Sequence, residues 1–280
     1  MPGHHISWYK PAGLVILFIL LGWLLYGNLE PHANTATGPQ VTAVYPTSDV
    51  LPANLLRLYV QFSEPMKTVG NLERIQLLDQ SGTEVPHVFF NNVQELWNHE
   101  QTQLTLIVDP ARVKTGLVAH ETLGRALVPG KTYTLVVAGL ENTFHQPMPE
   151  MYEKAFTVTD ADLNTPDLSR WELSAVAVGS KAALEVTFPE PLDYLSLQQR
   201  LTVTTAEDVV VPGTIMITNQ ETIWRFTPAA SWEAGEYRLQ VNTRLEDPAG
   251  NNLNGLFDHT ADGLHYDREG VTEFIPFTSI

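Results

Sequence analysis

The chain of 280 residues contains no cysteine. Disulfides, thiolate metal sites and cysteine nucleophiles are therefore excluded together. No N-x-[ST] acceptor is present either. Exported animal proteins commonly use disulfides as staples, so the two absences together lean towards a bacterial origin.

Charge is scarce, at 17% of residues against about 25% in ordinary globular domains. Cations are the scarcer kind: 16 Lys and Arg stand against 32 Asp and Glu, for a net charge of −16. A surface this acidic repels nucleic acid and anionic headgroups, which removes nucleic acid as a partner. No nucleophile elbow, glycine-rich phosphate loop, HExxH or CxxC occurs. Carboxylates for acid–base work are abundant, but nothing singles out a pair, so no enzyme is expected.

One long apolar run is present. No residue from Pro11 to Leu29 is charged, and a membrane-spanning helix needs roughly 17–25 apolar residues. Trp8, Tyr9, Trp23 and Tyr26 stand at the two ends as interfacial anchors, and Lys10 precedes the run. The positive-inside rule then puts residues 1–10 in the cytoplasm, makes 11–29 a transmembrane signal-anchor, and exports the rest. This is a single-pass protein of the cell membrane with its body on the periplasmic or extracellular side. The alternative is a cleaved signal peptide and a secreted protein, with cuts near Ala33 or Ala36 whose −3 partners, Pro31 and Asn34, are poor. Residues 30–40 have no periodicity and form a stalk.

Beyond residue 40, short alternating runs are separated by Pro, Gly, Asn and Asp, the pattern of an all-β sandwich. The chain also repeats itself. Leu58-Tyr-Val-Gln-Phe-Ser-Glu-Pro-Met66 matches Leu184-Glu-Val-Thr-Phe-Pro-Glu-Pro-Leu192, with Leu58, Val60 and Phe62 falling on Leu184, Val186 and Phe188. Every second residue is apolar, as one buried strand face requires. Ile75-Gln-Leu77 aligns with Leu201-Thr-Val203, and the strand starting at Leu104 aligns with the one starting at Thr222. Tyr133 and Tyr237 open matching strands, and Leu140-Glu-Asn-Thr-Phe-His-Gln-Pro-Met148 matches Leu245-Glu-Asp-Pro-Ala-Gly-Asn-Asn-Leu253. Final strands lie near residues 155–158 and 275–278. Domains are placed at 41–160 and 168–280, with a polar linker at 161–167.

Here the chain resembles the bacterial Ig-like domains first described in S-layer proteins, the SbsA-type or Big group. The resembling elements are the opening at Val41 to Val50, the strand end at Phe62 to Met66, the strand at Pro129 to Leu135, and the turn at Asp247 to Leu253. The second copy lacks the opening motif and the first lacks the A-G-N turn. The resemblance implies two tandem immunoglobulin-like β-sandwiches, non-catalytic, in an envelope setting.

Insertions on a scaffold are where function usually sits. Residues 111–128 of the first copy replace a much shorter stretch and concentrate Arg112, Lys114, His120 and Arg125, a candidate docking loop for an acidic protein partner. Against this, the cations offset nearby carboxylates. In the second copy Asp258, His259, Asp262, His265 and Asp267 form a candidate divalent-cation set, though the segment also reads as a solvated loop. Trp97 is the tryptophan suspected of exposure and hence of stacking on a carbohydrate. The expected function is a non-enzymatic, membrane-anchored envelope protein that binds or positions a protein partner. The alternative is an exported module for carbohydrate or a metal ion.

Overall fold

The computed structural model describes residues 38–91, 94–258 and 271–280. Alternating sequence becomes alternating burial: along β8 (Tyr152–Thr159), residues 154, 156 and 158 point inward and their neighbours outward. The first sandwich has one sheet in the order β1 (Val41–Tyr45), β3 (Arg57–Phe62), β6 (Gln103–Ile107) and β5 (Leu96–Trp97). Its second sheet runs β2 (Val50–Pro52), β8, β7 (Thr132–Val137) and β4 (Ile75–Asp79), with β2 parallel to β8. Leu58, Val60 and Phe62 lie in the core between them, as their spacing predicts.

The second sandwich repeats the plan. One sheet is ordered β12 (Gly213–Thr218), β13 (Ile223–Pro228), β10 (Leu184–Thr187), β9 (Glu172–Leu173), and the other β11 (Leu201–Thr205), β14 (Gly235–Asn242), β15 (Thr272–Ser279). Leu184, Val186, Phe188, Trp224 and Trp171 fill its core. The aligned tyrosines do the same work in each copy. The Tyr133 hydroxyl accepts from the Val128 N–H, and the Tyr237 hydroxyl from the Glu233 N–H, both at 3.1 Å.

One register differs from expectation by two residues. Val60 pairs with Leu104, and its counterpart Val186 pairs with Trp224. Leu104 therefore corresponds to Trp224, not to Thr222. A slip of two leaves every side chain on its own face, so the apolar pattern cannot detect it.

Among the described residues three short α-helices decorate the sandwiches: α1 (Pro110–Val113) and α2 (Val118–Leu123) in the first insertion, and α3 (Tyr194–Gln199) in the second copy. Residues 38–280 form one compact unit. The expected anchor at 11–29, the segment before it and the stalk up to residue 37 lie outside the described residues. Among those described, no helix is long and apolar enough to cross a membrane.

Candidate functional site

The turn after β7 and the turn after β14 are built alike. In the first copy the Asn142 side-chain oxygen accepts from the Phe144 and Gln146 N–H groups, both at 2.9 Å. In the second, an Asp247 oxygen accepts from Ala249 N at 2.8 Å and Asn251 N at 3.0 Å. The fourth position of the shared turn has a positive φ in both, 61° at His145 and 81° at Gly250.

Their surroundings are opposite. The second-copy turn is docked on the first sandwich: Leu56 N donates to Pro248 O at 2.9 Å, and Ala249 is 1% exposed. A Cβ on Gly250 would stand 2.4 Å from Leu56 Cδ2, so any other residue here would have to displace Leu56 while holding a left-handed backbone. The first-copy turn faces outward, and Phe144, in the place of Ala249, is 78% exposed.

Around the docked turn, the second copy has four buried or half-buried carboxylates, and three of them bond to the first sandwich. Asp193 accepts from the Tyr59 hydroxyl at 2.7 Å and caps α3 through Ser196 N at 2.9 Å. Glu221 accepts from Thr47 N at 2.9 Å and from its hydroxyl at 2.8 Å. Its backbone lies in the left-handed region, as does that of Gln101, the matching residue of the first copy. Glu246 pairs with Arg57. Asp247 holds its own turn. Lys154 backs this layer by donating to Thr47 O at 3.0 Å, and Tyr45 stacks on Tyr194 with ring centroids 3.5 Å apart.

Burial is the main influence on these acids and raises the pKa of all four. For Asp193, Glu221 and Glu246 it outweighs the hydrogen bonds and cations that favour the charged form. Asp247 is pushed up to about 8, by burial first and then by the neighbouring Asp162 carboxylate. Tyr59 moves up as well, through burial and the charge of Asp193.

The linker is held between the bodies. Asn54 of the first sandwich exchanges two hydrogen bonds with the Asp162 backbone, both at 2.8 Å, and Asn251 of the second donates to the same carbonyl at 3.2 Å. This arrangement supplies fixed geometry between two modules.

The residues expected from sequence fall elsewhere. Arg112 is 6% exposed, and its guanidinium donates to the carbonyls of Pro86, His87, Gly124 and Arg125. It is a strut that folds the insertion down. The carbonyl of Arg112 lies 3.2 Å from His120 Nδ1. Lys114 sits 4.4 Å over the ring of Phe257, and Thr115 donates to the Asp258 carboxylate. The insertion thus touches the second copy's long loop and forms a further contact between the modules. Arg125 is half-buried. Asp258 is the one member of the proposed cation set that is described; His259, Asp262, His265 and Asp267 lie outside the described residues. Among the described residues no group of metal-ligating side chains comes together. Trp97 is half-buried, with its ring 5.6 Å from Phe62 and its N–H donating to Glu95 at 3.0 Å. It is a wall of the first core rather than an open platform.

Sequence reasoning missed Thr47, Tyr59, Asp193 and Glu221 altogether, since no local pattern marks a partner more than a hundred residues away. It read the turn at 247–253 as a tight turn. The small residues Ala249 and Gly250, where the other copy has Phe144 and His145, were the signal that this turn is packed against something.

Residues 171–262 match the bacterial Ig-like domain family. That match falls within the second sandwich, and the first sandwich repeats the strand plan and the turn of the second. No curated protein matches the sequence. Among solved structures, the S-layer protein rSbsC(31-844) is similar over 87% of this chain and 41% of its own, at 11% identity and a TM-score of 0.30. This chain therefore spans about two fifths of that structure. Alpha-2-macroglobulin of Escherichia coli, over domains MG0-NIE-MG1, is similar across 87% of this chain and 72% of its own, at 12% identity and a TM-score of 0.28. The N-terminal Ig1-2 module of the Drosophila receptor tyrosine phosphatase DLAR is similar over 75% and 93%, at 10% identity and 0.26.

Proposed function

We propose that this chain is a non-enzymatic protein of the bacterial cell envelope, held at the membrane by residues 11–29, whose two Ig-like modules bind or position a protein partner. The observation that carries this reading is the contrast between the two matched turns. The second copy uses its turn to grip another Ig-like body; the first copy presents the same turn with an exposed aromatic at its tip. Aromatic anchors dominate protein interfaces, and a large exposed ring on a rigid, side-chain-braced turn is pre-organised for one. Lys67 and His145 both reach the Glu141 carboxylate beside it, at 3.6 Å and 3.5 Å, giving the tip a polar rim. The full chain, tagged and solubilised from membranes, is expected to co-purify a protein that Phe144→Glu loses while the thermal unfolding of the chain is unchanged. Co-purification indifferent to Phe144 sinks the assignment of this turn.

A second reading, a carbohydrate or cation module, draws on one feature. A cavity of about 420 Å³ in the first sandwich is lined by Thr68, Leu72, Glu84, His87, Phe89 and Glu95 among others. A thermal-shift panel of glycans, calcium and zinc tests it, and saturating ligand at a hundredfold excess over Kd stabilises by about 2.7 kcal/mol. A flat panel removes the reading.

A further inference from the structure

The first sheet of the second sandwich ends on β12, which pairs with β13 along its whole length and has no strand on its other side among the described residues. Alternate N–H and C=O groups of such a strand point outward without a ladder partner. Natural edges are blunted with lysine, proline, bulges or shortness. The first copy follows that rule: its corresponding edge is only β5 and an isolated bridge between Phe89 and Val108. In contrast, β12 is six residues long with no proline and no charge. Met216 is 60% exposed and Ile215 39%, and Val209 and Val210 just before the strand are exposed too.

The sequence of the edge selects its partner. Thr214-Ile-Met-Ile-Thr218 reads the same in both directions about Met216. An antiparallel pair related by a two-fold axis at Met216 therefore sets Thr214 opposite Thr218 of the second copy, Ile215 opposite Ile217, and Met216 opposite itself. The faces agree as well. Ile217 packs on the core and Ile215 is paired with the buried Phe226, so the isoleucine row continues the core side, while Met216 stays on the outer face. Charge points to the same place. The chain carries −16 overall, yet residues 209–220 hold no ionisable side chain, so two acidic copies meet here without like charges opposed.

We propose that β12 is a self-association edge: two chains pair their β12 strands antiparallel about Met216, fusing two four-stranded sheets into one continuous sheet. The contact is isologous and closes at the dimer. It uses the opposite module from the Phe144 turn, so the two assignments stand or fall separately.

The absence of cysteine makes the register testable in the full chain. Met216→Cys is expected to give a covalent dimer with a short bis-maleimide, because the two residues face each other across about 5 Å. Thr214→Cys alone is expected to give none, its two copies being about 14 Å apart along the strands. Thr214→Cys combined with Thr218→Cys restores the dimer. Equal cross-linking of both single variants, or of neither, overturns the proposal, as does cross-linking only to a different protein. Met216→Lys should make the uncross-linked full chain sediment as a monomer with the wild-type far-UV circular dichroism spectrum; a wild-type chain already monomeric at tens of micromolar would also overturn it.

Discussion

The hydroxyl of Tyr59 in the first sandwich donates to Oδ2 of Asp193 in the second at 2.7 Å, with both groups buried. One residue thereby serves two structures, because the other Asp193 oxygen caps α3. Tyr59→Phe leaves Oδ2 of Asp193 buried without its tyrosine partner, a fault of about 1–3 kcal/mol. The urea midpoint of the full chain should fall accordingly, and a midpoint equal to wild type would show that the bond contributes nothing net.

Acid should stabilise the fold around the docked turn. Asp247 titrates at about 8 when folded, against 3.8 when unfolded. Between these values the folded state holds a proton that the unfolded state has released. Stability from this group is thus fully present below the lower value and falls as pH rises towards the upper, by up to about 1.4 kcal/mol per pH unit. Asp193, Glu221 and Glu246 are shifted in the same direction. Asp247→Asn retains the oxygen that accepts from Ala249 and Asn251, as Asn142 does in the first copy. It should flatten the dependence of urea midpoint on pH between about pH 5 and 8; an undiminished slope would count against this account.

The matched turns predict opposite responses to backbone substitution. Gly250→Ala combines a positive φ with a clash on Leu56 and should destabilise by about 1–3 kcal/mol. His145→Gly relieves the same backbone conformation on an exposed turn and should be neutral or stabilising by up to about 1 kcal/mol. Thermal melts of both variants decide it, and a harmless Gly250→Ala would mean that the docked turn yields easily.

Removing Arg57 strands the Glu246 carboxylate. Arg57→Ala is expected to cost about 1–3 kcal/mol, less than the roughly 3–5 kcal/mol of a fully buried broken pair, because both side chains keep some exposure. Arg57→Met with Glu246→Leu should recover most of that loss. A double variant as weak as the single one would contradict the role of the stranded charge.

The strands were legible because Leu58, Val60 and Phe62 repeat in Leu184, Val186 and Phe188, and period-two burial writes itself into sequence. The match of Leu104 to Trp224 was not, because a two-residue slip conserves the face. The contact between modules was the least legible part. Thr47 meets Glu221 174 residues away, and a side-chain pair of that separation leaves no periodic trace. Arg112 shows the converse. A cation in a basic insertion reads as a surface group, yet its five donors suit it equally to gathering carbonyls inside a loop.

The carbonyl of Asp162, held by an amide from each sandwich, also has a mechanical meaning. Chain joining two bodies ordinarily behaves as a swivel. Here a sideways load on the far module cannot turn at the connector; it must shear the Asn54 and Asn251 bonds together with the docked turn beside them. Parallel bonds resist such a load collectively, where bonds in series would give way one after another. The two bodies act as a bracket, so that the second module is kept at a set angle to the first.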